Sequence, residues 1–187
     1  MASPMFIELN HPLARLFREL VQRQFCDASQ IRDRDLTAYV SGLLTRFADV
    51  RELYRIRDAR GKRLEDVREM LIESNPLLAA SSFDREREVR KHVGDYTLFL
   101  CGLFPEYVAR LPRRSLCLDS IVDYVKAGKE SYRVVSYFDQ FEYKAEAPLF
   151  RKLAEWFEIC VLGLNQVKQD LERLQRERYN QWRATLE

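Results

Sequence analysis

The sequence predicts an all-α protein, a single-domain bundle of five to six major helices with a long C-terminal helix. Apolar residues recur every three or four positions along most of the chain, which places them on one face of a helix. The 187 residues include only six Gly and six Pro, so few positions interrupt a helix. Because no linker divides the chain, we expect residues 1–187 to form one domain.

The first two helices are predicted from apolar stripes that follow capping residues. The first helix should begin at Asn10 as its N-cap and end near Asp27. The second should begin near Asp33 or Asp35, and its apolar stripe continues as far as Tyr54. We therefore expect two long helices before the first interruption of the helical period.

A basic segment, residues 55–63, provides that interruption. Its charged sequence around Gly61 predicts a loop or a short hairpin. A third helix is expected over residues 64–74, because the following Asn75-Pro76 pair disfavours helical backbone.

The fourth helix and the last helix are expected at the centre of the bundle. Ser81 or Ser82 can cap the fourth helix, whose first half is charged. Residues 97–104 carry no charge, which indicates a helix that starts in solvent and ends inside the core. Pro105 removes a backbone donor and should end or kink this helix.

The fifth helix and the last helix are predicted to be the longest. The fifth should run from a cap at Asp119 to about Phe141. The last should run without a break from Ala147 to Trp182, a length of ~50 Å, which exceeds what a compact domain of this size needs. Residues 168–187 should therefore project from the domain or pair with another chain.

Two glycines lie within predicted helices. Gly42 lies beside the apolar stripe of the second helix, and Gly128 lies within the stripe of the fifth. Glycine costs a helix interior ~1 kcal/mol relative to alanine. Each glycine therefore predicts the close approach of another helix.

Charge and cysteine usage limit the classes of partner and cofactor. The formal net charge is only +2, so the whole chain is not attracted to nucleic acid or anionic lipid. Cys26, Cys101, Cys117 and Cys160 form no C-x-x-C pair. We expect them to be small buried residues in a reducing compartment. With His11 and His92 as the only histidines, neither a metal nor a cofactor is expected.

Localisation is predicted from segments that the sequence lacks. The N-terminus has neither a basic stretch nor a long apolar stretch, and no window approaches the ~20 apolar residues of a membrane span. We therefore expect a cytoplasmic protein with no membrane partner.

Two segments resemble a known family. The first runs from Gly94 to Glu106 as GlyAspTyrThrLeuPheLeuCysGlyLeuPheProGlu, and the second runs from Tyr124 to Tyr132 as TyrValLysAlaGlyLysGluSerTyr. Together they resemble a group of uncharacterised bacterial all-helical proteins, which carry a Gly-Asp…Leu-Phe…Gly…Phe-Pro-Glu segment followed by a Tyr…Gly…Ser/Ala-Tyr segment. The resemblance implies a bacterial source and transfers no catalytic residue.

One candidate site is a polar pocket between the fourth and fifth helices. His92 and Asp95 are three positions apart and therefore share a helix face, where a His–Asp pair can act as a general base. Tyr96, Tyr124 and Tyr132 complete this candidate ligand-binding group. No nucleophile motif accompanies the pair, so an enzyme or small-molecule pocket is the alternative hypothesis. Asp95 needs a hydrogen-bond donor, such as Tyr132, if it is buried.

A further alternative is salt-dependent nucleic-acid binding. The local basic clusters are residues 55–63 and residues 110–114. The candidate contacts are Arg60, Lys62, Arg63, Arg113 and Arg114. Binding through them would depend on electrostatic attraction to phosphates. No recognition-helix signature accompanies these clusters, so nucleic acid is not the expected partner.

The leading hypothesis is a protein that is not an enzyme and that acts through protein–protein contacts, as a homodimer or with another protein. Leu171, Leu174 and Trp182 are the interface candidates, because the apolar seam of the last helix continues through them into a charged segment. The alternative for this segment is that it folds back along the first helix.

Overall fold

The computed structural model describes residues 11–27, 31–111 and 121–184. Within these ranges the structure is helical and has no β-strand, which confirms the all-α prediction. The predicted caps Asn10 and Asp119 lie outside the described residues. In chain order the helices are α1 (Pro12–Asp27), α2 (Arg34–Phe47), α3 (Val50–Leu53), α4 (Val67–Glu73), α5 (Phe83–Leu103), α6 (Pro105–Arg110), α7 (Ile121–Ser136), α8 (Ala147–Glu155) and α9 (Phe157–Ala184).

Helix α5 forms the centre of the bundle, as its sequence predicts. The Ser82 side chain caps it by accepting a hydrogen bond from the backbone N–H of Arg85. Every residue from His92 to Leu103 is buried, and α4, α7 and α9 all pack against α5. Pro105 then begins α6, since proline suits the first turn of a helix.

A glycine on α7 lets α5, α7 and α9 approach one another closely. A Cβ atom on Gly128 would lie 2.4 Å from the Phe157 ring and 2.4 Å from the Thr97 hydroxyl oxygen. No real side chain tolerates such contacts, so only glycine fits between these neighbours. The close helix approach predicted at Gly128 is confirmed.

Two predicted helices are each divided in the structure. The second helix ends at Phe47, and α3 restarts after Asp49, whose side chain accepts a hydrogen bond from the backbone N–H of Arg51. The last helix is interrupted at Trp156, which has φ −103° and ψ 19°. The interruption lets α8 pack against α7 and α2 while α9 packs along α5 and α1. The fifth helix also ends earlier than predicted, at Ser136.

The basic segment 55–63 forms a short hairpin, which is one of the two forms predicted for it. The backbone N–H of Asp58 donates to the carbonyl oxygen of Lys62 at 2.9 Å, and that of Leu64 donates to Ile56 at 2.9 Å. Gly61 makes the turn with φ +81°, a conformation that glycine adopts without steric cost.

Helix α9 packs along α1 through its middle and is exposed near its end. The buried carboxylate of Asp170 accepts hydrogen bonds from Arg23 at 2.5 Å and from Gln24 at 2.6 Å, both on α1. The side chains of residues 175–178 are exposed. No helix in the described part of the chain is both long and apolar enough to cross a membrane.

Candidate functional site

Asp95 is the centre of a buried hydrogen-bond network that joins three helices. Its Oδ1 atom accepts a hydrogen bond from the Tyr132 hydroxyl of α7 at 2.8 Å and another from the Tyr39 hydroxyl of α2 at 2.7 Å. Its Oδ2 atom accepts from the Arg46 guanidinium at 2.9 Å. The Asp95 side chain is only 4% exposed, and this salt bridge compensates its charge. Tyr132 is therefore a donor to Asp95, as the sequence suggests.

Tight packing fixes the position of the Tyr132 hydroxyl. The Tyr132 ring lies against the backbone of Gly94, where a Cβ atom would be only 2.4 Å away. The rings of Phe150 and Phe157 lie 5.7 Å and 5.9 Å from it, measured between centroids. Burial raises the pKa of Tyr132 well above its usual range, so the hydroxyl stays protonated and donates to Asp95.

His92 is also buried, and both of its ring nitrogens have partners. Nε2 lies 3.1 Å from the Leu53 carbonyl oxygen, and Nδ1 accepts from Arg55 Nε at 3.3 Å. Burial, followed by the charge of Arg55, lowers the pKa of His92 to about 3. The imidazole is therefore neutral at physiological pH, and it bonds Leu53 and Arg55 rather than Asp95.

The structure assembles only part of the predicted pocket. Asp95 and Tyr132 meet, whereas the Tyr96 hydroxyl donates to the Glu65 backbone at 3.2 Å. All five predicted ligand-binding residues are buried, and each is at most 6% exposed. The exposed fractions are 1% for His92, 3% for Asp95, 2% for Tyr96, 6% for Tyr124 and 0% for Tyr132. This geometry favours a structural role for the group.

A cleft of about 680 Å³ lies between α1 and α2. Helix α1 contributes one residue per turn to its walls, and α2 contributes about two per turn, among them Thr37, Ser41 and Thr45. On each helix, one row of lining residues recurs every four positions. These residues are Ala14, Arg18, Gln22 and Cys26 on α1, and Arg34, Ala38, Gly42 and Arg46 on α2. The first and last residues of either row are twelve steps apart, which is a length of ~18 Å at the rise of an α-helix. The cleft is therefore an elongated groove that two helices border side by side.

The small residues Ala38 and Gly42 line the cleft between its charged ends, and these two residues are called its floor. A Cβ atom built on Gly42 would have no neighbour within 4 Å among the described residues. The close helix contact predicted at Gly42 is therefore wrong within this part of the chain, because the space above the glycine is open. The sequence signal was the small side chains of Ala38 and Gly42, which lie one turn apart on α2 and outside its apolar stripe.

Four arginines make the cleft basic. They are Arg18, Arg32, Arg34 and Arg46. The acidic residue that lines the cleft is Asp33. Its bond with Lys152, and then the hydrogen bond by which it caps α2, lower its pKa. Arg46 connects the cleft to the buried network, because it lines the cleft and also bonds Asp95. The sequence did not predict this contact, since Arg46 and Asp95 lie on different helices.

The cysteines differ in their exposure. Cys101 and Cys160 are buried, as expected, and burial raises the pKa of each thiol to about 12. Cys26 is exposed at the edge of the cleft, so the prediction that it is buried is wrong. Cys117 lies outside the described residues.

The predicted nucleic-acid contacts are partly neutralised by acidic neighbours. Lys62 pairs with Glu69 at 2.8 Å, and Arg63 lies 3.8 Å from Glu65. Arg60 is exposed on the turn of the hairpin. The other two candidates, Arg113 and Arg114, lie outside the residues that the structure describes.

The predicted interface residues of the last helix have different environments. Leu171 packs against the core of its own chain, and Leu174 is half-buried. The side chain of Trp182 lies outside the described part of the structure. The pairing of Asp170 with α1 shows that this turn of α9 lies along the first helix.

Among the described residues, no group of three or more His, Cys, Asp or Glu side chains is arranged to hold a metal ion. Comparisons of the chain with protein-family models, curated proteins and solved structures found no match.

Proposed function

We propose that this protein is not an enzyme and acts by binding a partner protein, one helix of which enters the cleft between α1 and α2. The observation that carries the proposal is the open, elongated cleft over Gly42. Its floor has the small residues that let another helix approach closely.

The dimensions of the cleft favour a helix as its occupant. Its length of ~18 Å corresponds to about three helical turns. Binding of a helix in a groove is a common mode of protein recognition, with side chains anchored at each turn. The lining residues also recur at each turn of α1 and α2, so the groove repeats at the same interval as the side chains of such a helix.

The buried polar groups support a role without catalysis. A general base must reach the proton that it removes, directly or through one water. His92 is 1% exposed and already bonded at both nitrogens, and Asp95 is surrounded by Tyr39, Tyr132 and Arg46. Both groups stabilise the contacts between helices instead.

A peptide selection tests the proposed function. The full-length protein would be used to enrich 16-residue peptides from a displayed random library. Gly42→Leu places a large side chain on the floor of the cleft, where no described atom lies within 4 Å of the position of its Cβ. We expect the enriched peptides to be helical when bound, and to lose at least tenfold in affinity for Gly42→Leu.

Gln166→Leu provides the matched control, because it adds the same side chain to an exposed position of α9 outside the cleft. This variant should bind the enriched peptides as the wild type does. Circular dichroism and thermal unfolding would establish that both variants fold. If no peptide is enriched, or if the enriched peptides bind Gly42→Leu normally, the cleft is not the binding surface.

The proposal also includes self-association and a cellular setting. The exposed end of α9, residues 175–178, supports pairing with a second copy. Buried thiols at Cys101 and Cys160 support a reducing cytoplasm. The resemblance of residues 94–106 and 124–132 to bacterial helical proteins supports a bacterial source.

A further inference from the structure

We infer that the helix that enters the cleft is acidic, with small or apolar residues against the floor and Asp or Glu on its flanks. This inference rests on the proposed function, since it specifies the chemistry of the partner. It is argued from the charges of the cleft, from the position of Arg46 and from the uncharged floor.

The arginines are distributed over the whole cleft. Arg32 and Arg34 lie at the start of α2, and Arg46 lies at its end, ~18 Å away along the helix. Arg18 lies one turn beyond Ala14 on α1. Among the described residues that line the cleft, Asp33 is the acidic one, and Lys152 already pairs with it. At one end of the groove a partner therefore meets Arg32 and Arg34, which form no ion pair with the described residues. At the other end it meets Arg46, whose charge Asp95 already compensates in part.

Asp95 holds Arg46 in a position from which it can bind a carboxylate of the partner. One of its terminal nitrogens is bonded to Asp95 at 2.9 Å, and its side chain is 42% exposed. A guanidinium has five N–H donors, so further donors remain for a partner. Asp95 is buried and fixed by two tyrosines, which reduces the conformational entropy that Arg46 loses on binding.

The charges and the floor of the cleft disfavour two other occupants. A second copy of the same face would bring two sets of arginines together, and like charges at an interface are unfavourable. A nucleic acid would satisfy the arginines, but its phosphates would not cover the small, uncharged floor at Ala38 and Gly42. A helix with one apolar face and acidic flanks complements both parts of the surface.

The composition of the selected peptides tests this inference. Peptides enriched on the wild-type protein should carry an excess of Asp and Glu over the unselected library. Peptides enriched on the double variant Arg32→Glu/Arg34→Glu should lack this excess. Arg151→Glu is the control, because Arg151 is exposed on α8 outside the cleft, and it should select acidic peptides as the wild type does.

Affinity measurements on the full-length protein add a second readout. The tightest wild-type peptide should bind the double variant at least tenfold more weakly. A counterpart with every Asp and Glu replaced by Asn and Gln should also bind more weakly, and binding should decrease as salt rises from ~0.05 to ~0.5 M. The bound peptide should slow alkylation of Cys26 by iodoacetamide, since this thiol borders the cleft.

The outcomes separate this inference from the proposed function. Helical peptides that depend on Gly42 but show no acidic excess would overturn the acidic partner and leave the function intact. A failure to enrich any peptide would overturn both. A DNA duplex that displaces the acidic peptides at a lower concentration than they displace one another would assign the cleft to nucleic acid. Protection of Cys26 in the protein without peptide would show that the chain occupies its own cleft, which also contradicts the inference.

Discussion

Asp95 places a carboxylate inside the bundle, where an unpaired charge would be costly. Three donors from two other helices satisfy it, namely Tyr39, Arg46 and Tyr132. A buried ion pair of this kind contributes little net stability, but loss of one partner leaves an uncompensated charge. The network therefore constrains how α2, α5 and α7 can fit together more than it strengthens the fold.

His92 makes the stability of the protein depend on pH. Its pKa in the folded state is about 3, whereas an unfolded chain has the ordinary value of 6.5. Between these two values, the unfolded state binds a proton that the folded state does not bind. The free energy of unfolding therefore decreases as pH falls below ~6.5, by at most ~1.4 kcal/mol per pH unit for this one group.

Urea unfolding at pH 7 and pH 5 measures this effect. Between these values, the His92→Gln variant should lose about 2 kcal/mol less stability than the wild type, because the titrating group is gone. Gln166→Leu is the control, because it changes an exposed residue that has no titratable group, and it should keep the pH dependence of the wild type. Equal losses for the wild type and His92→Gln would show that burial does not suppress protonation of His92.

At the scale of helices, Gly42 and Gly128 give opposite predictions for one substitution. Gly128→Ala should destabilise the protein by about 1–3 kcal/mol, because the added methyl group collides with Phe157 and Thr97. Gly42→Ala should stabilise it by about 0.5–1 kcal/mol, because its Cβ atom enters open space and alanine favours the helix.

Chemical unfolding of the two variants and the wild type tests the pair. Each variant is the control for the other, because the same Gly→Ala substitution is made inside a helix in both cases. Stabilisation by Gly128→Ala would mean that α7 and α9 are further apart than the structure shows. Destabilisation by Gly42→Ala would mean that the cleft is filled.

Local signals in the sequence predicted helix starts better than helix ends. Asp33 and Ser82 could be identified as caps because Asp and Ser are preferred at that position. In the structure each accepts a hydrogen bond from the backbone N–H three residues later. The interruption at Trp156 could not be predicted, because the apolar pattern continues through it and neither Gly nor Pro marks it. The restart of α3 had a local signal in Asp49, but the apolar stripe concealed it.

The candidate site was less predictable than the fold because it depends on contacts distant in sequence. The Tyr39 and Arg46 contacts with Asp95 span 56 and 49 positions. The donor Tyr132 could be proposed only because two apolar stripes predicted that its helix packs against that of Asp95. The space over Gly42 is open because no other described helix packs against it. No local sequence pattern predicts the absence of a neighbouring helix.

At the scale of the whole molecule, self-association is a separate prediction. Sedimentation velocity should show that the full-length protein is a dimer and that a chain ending at Gln175 is a monomer. This truncation retains Asp170 and Leu171, which pack against the rest of the fold, so it should remain folded. A full-length monomer would remove the dimer from the proposal and leave the cleft unaffected.

The enclosure of α5 determines how the backbone exchanges hydrogen with water. From His92 to Leu103 every residue of this helix is buried, so we expect its amide hydrogens to meet solvent only when the bundle opens as a whole. The amides of α1 and α2 beside the cleft can exchange through smaller openings. The slowest amides of α5 therefore report the global free energy of unfolding. The amides of α2 report a lower free energy of opening, and the difference between the two values shows how independently the binding surface opens.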